Sequence, residues 1–294
     1  MKKIDISALD IDDYADSIDI EKIKSTLKNL NPIKYKNIID NIESIIKADI
    51  DTIKTSYLTL CDGFLDQEKK EIEKAFNYTA YRQKPVFFNN FKKLNIKSCP
   101  FCNNNYIYFY KENAGDEYNS LATLEHYYPK AKYPHLSLSF HNLIPCCSTC
   151  NSKFKGNESH EGEIAHPYYD DFNENADFRI SVNDSIIKKD EDINISLKSM
   201  DPKCLKSIER FKLDKIYGEH RDIAKEIWNR AQVYNESRIE ELYNSFYKDF
   251  GYTKEDVKDM IFCNYLHEDN INKRNHSKLS QDILKQFGLI KKKK

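Results

Sequence analysis

The sequence predicts a mainly α-helical α+β fold, with one small strand-and-helix core set between two helical regions. Three observations lead there. Apolar residues recur at helical spacing through residues 18–94 and again from Pro202 onward. Between them, residues 99–160 turn to aromatic, strand-like text punctuated by prolines. That stretch is bracketed by two Cys-x-x-Cys pairs, Cys99/Cys102 and Cys147/Cys150. The organisation read from this is an N-terminal helical region (1–98), a metal-bearing core (99–177), a small β meander (178–200) and a C-terminal helical region with a basic tail (201–294).

In the first region Ile38, Ile39, Ile42, Ile45, Ile46, Ile50 and Ile53 form one apolar stripe, and Pro32 suits a helix's first turn. A second helix is predicted over 67–81, with Glu68, Glu71 and Glu73 near its positive end and Pro85 as its stop. In the core, Tyr106–Tyr110 and Leu121–His126 alternate as strands do, with a turn at Ala114-Gly115-Asp116. Pro129 and Pro134 mark a loop, Leu143-Ile144 is a second short strand, and Ser148 suits the N-cap of a helix running to about Lys155. The predicted order is strand, loop, strand, helix. Residues 178–198 read as a meander turning at Asn183-Asp184. After Pro202 the stripe Ile208, Phe211, Leu213, Ile216, Tyr217, Ile223, Ile227, Trp228, Ala231 is helical, and Gly251 and Gly288 punctuate the remaining helical text.

With 294 residues, 32% charged, and a mean hydropathy of -0.74, the chain reads as soluble. It has no apolar run of the roughly 18 residues a membrane span needs. Met1–Ser7 carries no signal-like apolar segment, so the cytoplasm is the expected compartment. Clustered Cys-x-x-Cys pairs in such a chain argue for metal over disulfides. Cys61, Cys204 and Cys263, isolated in helical text, read as small buried hydrophobes. Net charge is -1, unevenly spread: residues 99–202 hold 9 basic and 16 acidic side chains, residues 203–294 hold 20 and 15. Attraction for phosphate would then come from the flanking helices or the Lys291–Lys294 tail, whose bland reading is a solubility tail or cloning remnant.

Two Cys-x-x-Cys pairs separated by 44 residues have the spacing of a two-knuckle structural Zn2+ site. Cys147 is preferred over its neighbour Cys146 because only Cys147–Cys150 keeps the knuckle spacing. Such a closed site has no open position for chemistry, so its contribution would be folding free energy. Between the knuckles lie Glu125 and His126, adjacent on a predicted strand so that one side chain can face a metal and the other a water. An unperturbed imidazole titrates near neutrality, so His126 suits a general base. Asn151 follows the last thiol, and a carboxylate with an amide oxygen is how Mg2+ or Mn2+ is often held. Asn142 is better placed to tie the loop than to touch metal. Lys130, His141 and Lys155 are the candidate phosphate contacts. For His135 and His141 a supporting or solvated role competes, for His166 with Asp170 or Asp171 a structural turn. Tyr106, Tyr108 and Tyr110 either stack on bases or line one sheet face.

In that order, Cys99-x-x-Cys102, Glu125-His126-x-x-Pro129, Asn142-Leu143, Cys147-x-x-Cys150-Asn151 and Lys155-Gly156 resemble the HNH (ββα-metal) endonucleases with a treble-clef zinc clamp, over roughly residues 99–157. The resemblance implies His126 as general base, Glu125 and Asn151 as ligands of the catalytic divalent ion, and Asn142 as support for the base's loop. The chain departs from the pattern in using Glu125 where many members have Asp, and in one extra residue before Lys155-Gly156. Leu124–Lys130, His166–Asp171 and Phe211–Asp214 with Tyr217 and His220 are also similar to HNH proteins of bacterial anti-phage loci. Among these is the nuclease subunit of Septu-type systems, which works beside an ATPase. The expected activity is hydrolysis of phosphodiesters, with DNA favoured as substrate. A zinc-clamped module that binds nucleic acid or an ATPase partner without cutting, and an RNA-directed toxin nuclease, are the alternatives.

Overall fold

The computed structural model describes residues 1–154, 162–183 and 187–291. It is α-rich with three small antiparallel two-stranded sheets, and it divides into two compact units. One comprises Asp5–Asn95 and Ile107–Gly162; the other comprises Met1–Ile4, Ile96–Tyr106 and Glu163–Lys294.

The first unit begins with α1 (Ile11–Asp16), α2 (Ile20–Leu30), α3 (Lys36–Lys47) and α4 (Ile50–Thr52), the last running on as a wider turn to Tyr57. The stripe on α3 is wholly inward: Ile38, Ile39, Ile42, Ile45 and Ile46 are all buried. Each such side chain contributes about 1.5–3 kcal/mol relative to exposure. Helices α5 (Asp66–Phe76), α6 (Tyr78–Arg82) and α7 (Pro85–Lys93) come next. Two short strands, β1 (Phe109–Tyr110) and β2 (Asn119–Ser120), pair with each other. Strand β3 (Thr123–His126) pairs with β4 (Leu143–Cys146), so that Glu125 faces Ile144 and His126 faces Leu143. The Thr149–Phe154 helix comes after β4 and packs against β3.

The β3–β4 connection is packed under α3 and α5, and an aromatic cluster fixes it there. Phe140 stacks on Phe91 at 5.2 Å and meets Tyr14 edge-on at 5.1 Å. The Tyr14 hydroxyl donates to the Leu138 carbonyl at 2.9 Å.

The second unit is built on a hairpin, β5 (Ala176–Val182) with β6 (Ile193–Ser199), preceded by the single turn α8 (Phe172–Asn175). It continues with α9 (Pro202–Arg210), α10 (Leu213–Gly218), α11 (Arg221–Val233), α12 (Glu236–Leu242), α13 (Lys254–Phe262) and α14 (Ser277–Gln286). Helix α14 closes the open edge of β5 with side chains instead of another strand. Asp282 accepts the Phe178 N–H at 2.9 Å, and Gln286 accepts from Ile180 N–H and donates to the Phe178 carbonyl. An exposed edge is thereby satisfied from one helix face.

Several local readings need correction. Pro85 opens α7 instead of closing the preceding helix, as suits a residue with a fixed φ and no N–H. The helix expected over 67–81 breaks at Asn77, which adopts the left-handed conformation (φ 45°) and separates α5 from α6. Pro32 sits in the turn before α3, whose N-cap is Tyr35. Cys263 is exposed, at the left-handed C-cap of α13, while Cys204 is buried. Of the expected 183–184 turn, Asp184 lies outside the described residues, as do Lys292, Lys293 and Lys294 of the tail.

Candidate active site and metal centre

The first Cys-x-x-Cys forms a tight turn. Asn103 N–H donates to the Cys99 carbonyl at 2.8 Å, Cys99 N–H to the Asn105 carbonyl at 2.9 Å, and Asn104 N–H to the Cys102 sulfur at 3.4 Å. The turn needs a left-handed residue, and Asn103 supplies it with φ 49°. In the second pair Cys150 N–H points at the Cys147 sulfur, again at 3.4 Å. Amides aimed at sulfur favour thiolate. All four side chains are buried, and their sulfurs lie within 4.8 Å of one another. Tetrahedral zinc with Zn–S near 2.3 Å separates sulfurs by about 3.8 Å, so these four thiols can hold a metal such as zinc with little contraction. Cys146, on β4, stands outside this group and has its sulfur 3.6 Å from the Thr123 hydroxyl. Among the described residues this is the one convergence of three or more His, Cys, Asp or Glu ligand atoms.

Glu125 and His126 stand at the end of β3, 2% and 6% exposed. His126 Nε2 lies 3.1 Å from the Ser137 carbonyl oxygen. A carbonyl only accepts, so Nε2 carries the hydrogen and Nδ1 the lone pair. The imidazole packs edge-to-face with the Tyr78 ring, centroids 4.5 Å apart at 72°. Asn142 is fully buried and makes three bonds: its amide donates to the Tyr128 and Leu136 carbonyls, and its oxygen accepts the Tyr128 N–H at 2.6 Å. Leu136 precedes the residue that holds His126, so Asn142 fixes the loop carrying that carbonyl. Asn151 is half-buried on the helix packed against β3. The donor set of Glu125 and Asn151, one carboxylate and one amide oxygen, suits a hard divalent ion.

The remaining candidates take other places. Lys130 is 2.7 Å from Glu73 in an ion pair. His141 donates Nδ1 to the Ala48 carbonyl at 2.8 Å, and burial lowers its pKa. Lys155 lies outside the described residues. His135 is buried: Nε2 bonds the Tyr57 carbonyl at 2.8 Å, which leaves Nδ1 to accept the Cys61 thiol hydrogen at 2.9 Å. Burial pushes His135 down to about 4 and Cys61 up to about 12, so the pair is neutral. Cys61 is therefore a hydrogen-bond donor as well as a buried sulfur. His166 lies in a turn in which its N–H meets Asp170 at 2.8 Å; Asp170 also pairs with Lys203, and Asp171 caps α8. Tyr106, Tyr108 and Tyr110 are exposed, alternating with buried Ile107 and Phe109.

Two parts of this arrangement had no signal in the sequence. Tyr78 reaches His126 from 48 positions upstream, and Ser137 acts through its carbonyl, which every residue possesses. Asn103 is a third: beyond shaping the knuckle, its buried side chain donates to the Ile271 and Arg274 carbonyls and accepts the Lys278 N–H.

No helix among the described residues is long and apolar enough to cross a membrane. No protein-family model matches the chain, and no solved structure matches it significantly. A curated relative is the Septu protein PtuB of Bacillus thuringiensis, 36% identical over 55 residues. The match spans 19% of this chain and 21% of that protein's length, a short and distant similarity to a Septu protein.

Proposed function

We propose that this chain is a metal-dependent HNH-type endonuclease of a bacterial anti-phage system, hydrolysing phosphodiesters of nucleic acid, DNA in preference to RNA. The observation that carries the reading is the locked imidazole. His126 is held with its proton on Nε2, which makes Nδ1 the nitrogen that would act as the base. Glu125, next to it on β3, and Asn151, on the helix packed against that strand, would hold the divalent ion. When bound, that ion supplies Lewis-acid stabilisation of charge on the phosphate and the leaving oxygen. Asn142 keeps the Ser137 carbonyl where His126 needs it. The short similarity to a Septu protein supports the defence setting, and an ATPase partner belongs to this proposal.

The second reading, a zinc-clamped module that binds nucleic acid or a partner without cutting, is favoured by the burial of Glu125 and His126, little of which faces solvent. Incubating the purified protein with plasmid, single-stranded DNA and RNA, with Mg2+, Mn2+ or EDTA, separates the two. The nuclease reading predicts cleavage that EDTA abolishes. Binding to the same substrates with no cleavage under any metal favours the module.

A further inference from the structure

Tyr78 opens α6 directly after the left-handed Asn77, a break that turns the ring toward β3. Tyr78 is only 7% exposed, and its ring packs edge-to-face with the His126 imidazole, centroids 4.5 Å apart. The phenol hydroxyl is itself buried and has no hydrogen-bond partner among the described residues. Orphaning a hydroxyl in this way costs about as much as losing a hydrogen bond, which a protein rarely accepts without return. Burial raises the phenol's pKa, so the hydroxyl is a neutral donor. The orphan donor thus belongs to the residue packed on the imidazole read as the base, and the carboxylate read as a metal ligand is the neighbouring residue on β3.

We propose that the Tyr78 hydroxyl is a donor of this site, satisfied by an oxygen carried by the divalent ion that Glu125 holds. That oxygen is a water or a phosphate oxygen, and both accept from a phenol. The assignment rests on the nuclease reading and adds to it a residue outside the HNH-like segment. The ring contact limits rotation of the imidazole, while the hydroxyl adds a neutral donor where negative charge collects. A neutral phenol suits this place, since a second cation beside Glu125 would compete with the ion.

The test is Tyr78→Phe, which keeps the ring against His126 and removes only the oxygen. In the metal-free protein this substitution should leave the melting temperature unchanged or raise it, because it removes an unsatisfied buried group. In the loaded protein, cleavage should fall about 10- to 100-fold, the loss of one hydrogen bond to a charged group. Calorimetric titration with Mn2+ alone separates the two oxygens. Weaker Mn2+ binding in the variant assigns the hydroxyl to an ion-bound water; unchanged Mn2+ binding with slower cleavage assigns it to the phosphate. A variant with wild-type cleavage and wild-type Mn2+ affinity overturns the assignment while leaving the nuclease reading standing. So does a lower melting temperature with unchanged cleavage. A wild-type chain that neither cleaves nor binds Mn2+ overturns both.

Discussion

Three histidines of the β3–β4 region, His126, His135 and His141, each donate one ring nitrogen to a backbone carbonyl: Ser137, Tyr57 and Ala48 respectively. What meets the other nitrogen sets the use of each. For His135 it is the Cys61 thiol, a neutral pair with no access to solvent. Replacing Cys61 by Ala should cost about 1–3 kcal/mol in urea unfolding, since Nδ1 is left buried without its donor. Cys61→Ser, which keeps a donor, should cost less. The same histidine makes stability depend on acid. Its folded pKa of about 4 lies below the ordinary 6.5, so the unfolded chain binds a proton first. Stability is whole above about 6.5 and declines as pH falls toward 4, by on the order of 3 kcal/mol for this group. A flat dependence of the unfolding midpoint between pH 7 and 4.5 would contradict that accounting. None of these partners was legible in the sequence, because Tyr57, Ala48 and Ser137 act through main-chain oxygens.

Helices were legible where their apolar period was strong, as in α3, and the order strand, loop, strand, helix is met by β3, β4 and the Thr149–Phe154 helix. Boundaries were less so. Asn77 and Pro85 act through backbone dihedrals, and the periodicity runs across both without a mark. The role of α14 was also hidden, because no local pattern marks polar residues that turn inward. Instead Lys278 and Asp282 are buried, 2.6 Å apart, with Lys285 3.1 Å from the other carboxylate oxygen. Burial pulls the Lys278 pKa down, and the adjacent Asp282 holds it up in opposition. Such a pair gains little over an apolar one, but breaking it on one side is costly. Lys278→Met should destabilise by roughly 3–5 kcal/mol in denaturant unfolding. The double variant Lys278→Met with Asp282→Asn should recover part of that loss, since no uncompensated carboxylate remains.

For the molecule as a whole, the mainly α character and the four thiols were the most legible features, since a Cys-x-x-Cys is a local signature. Freshly prepared protein should carry one zinc per chain, and Cys102→Ser should lose folding cooperativity along with the metal. Protein that is fully folded without stoichiometric metal would remove the structural role given to these thiols. Residues 99–202 carry 16 acidic against 9 basic side chains, so under the nuclease proposal attraction for phosphate would come from elsewhere in the chain or from a partner. The hydrolytic reading stands on one imidazole. The direct measurement is therefore cleavage of plasmid and single-stranded DNA by wild type and His126→Ala, prepared in parallel and matched for zinc content and melting temperature. Wild type should cleave in a Mg2+- or Mn2+-dependent manner, and the variant should lose about 10²–10⁴-fold. Equal rates from two equally folded proteins would contradict this.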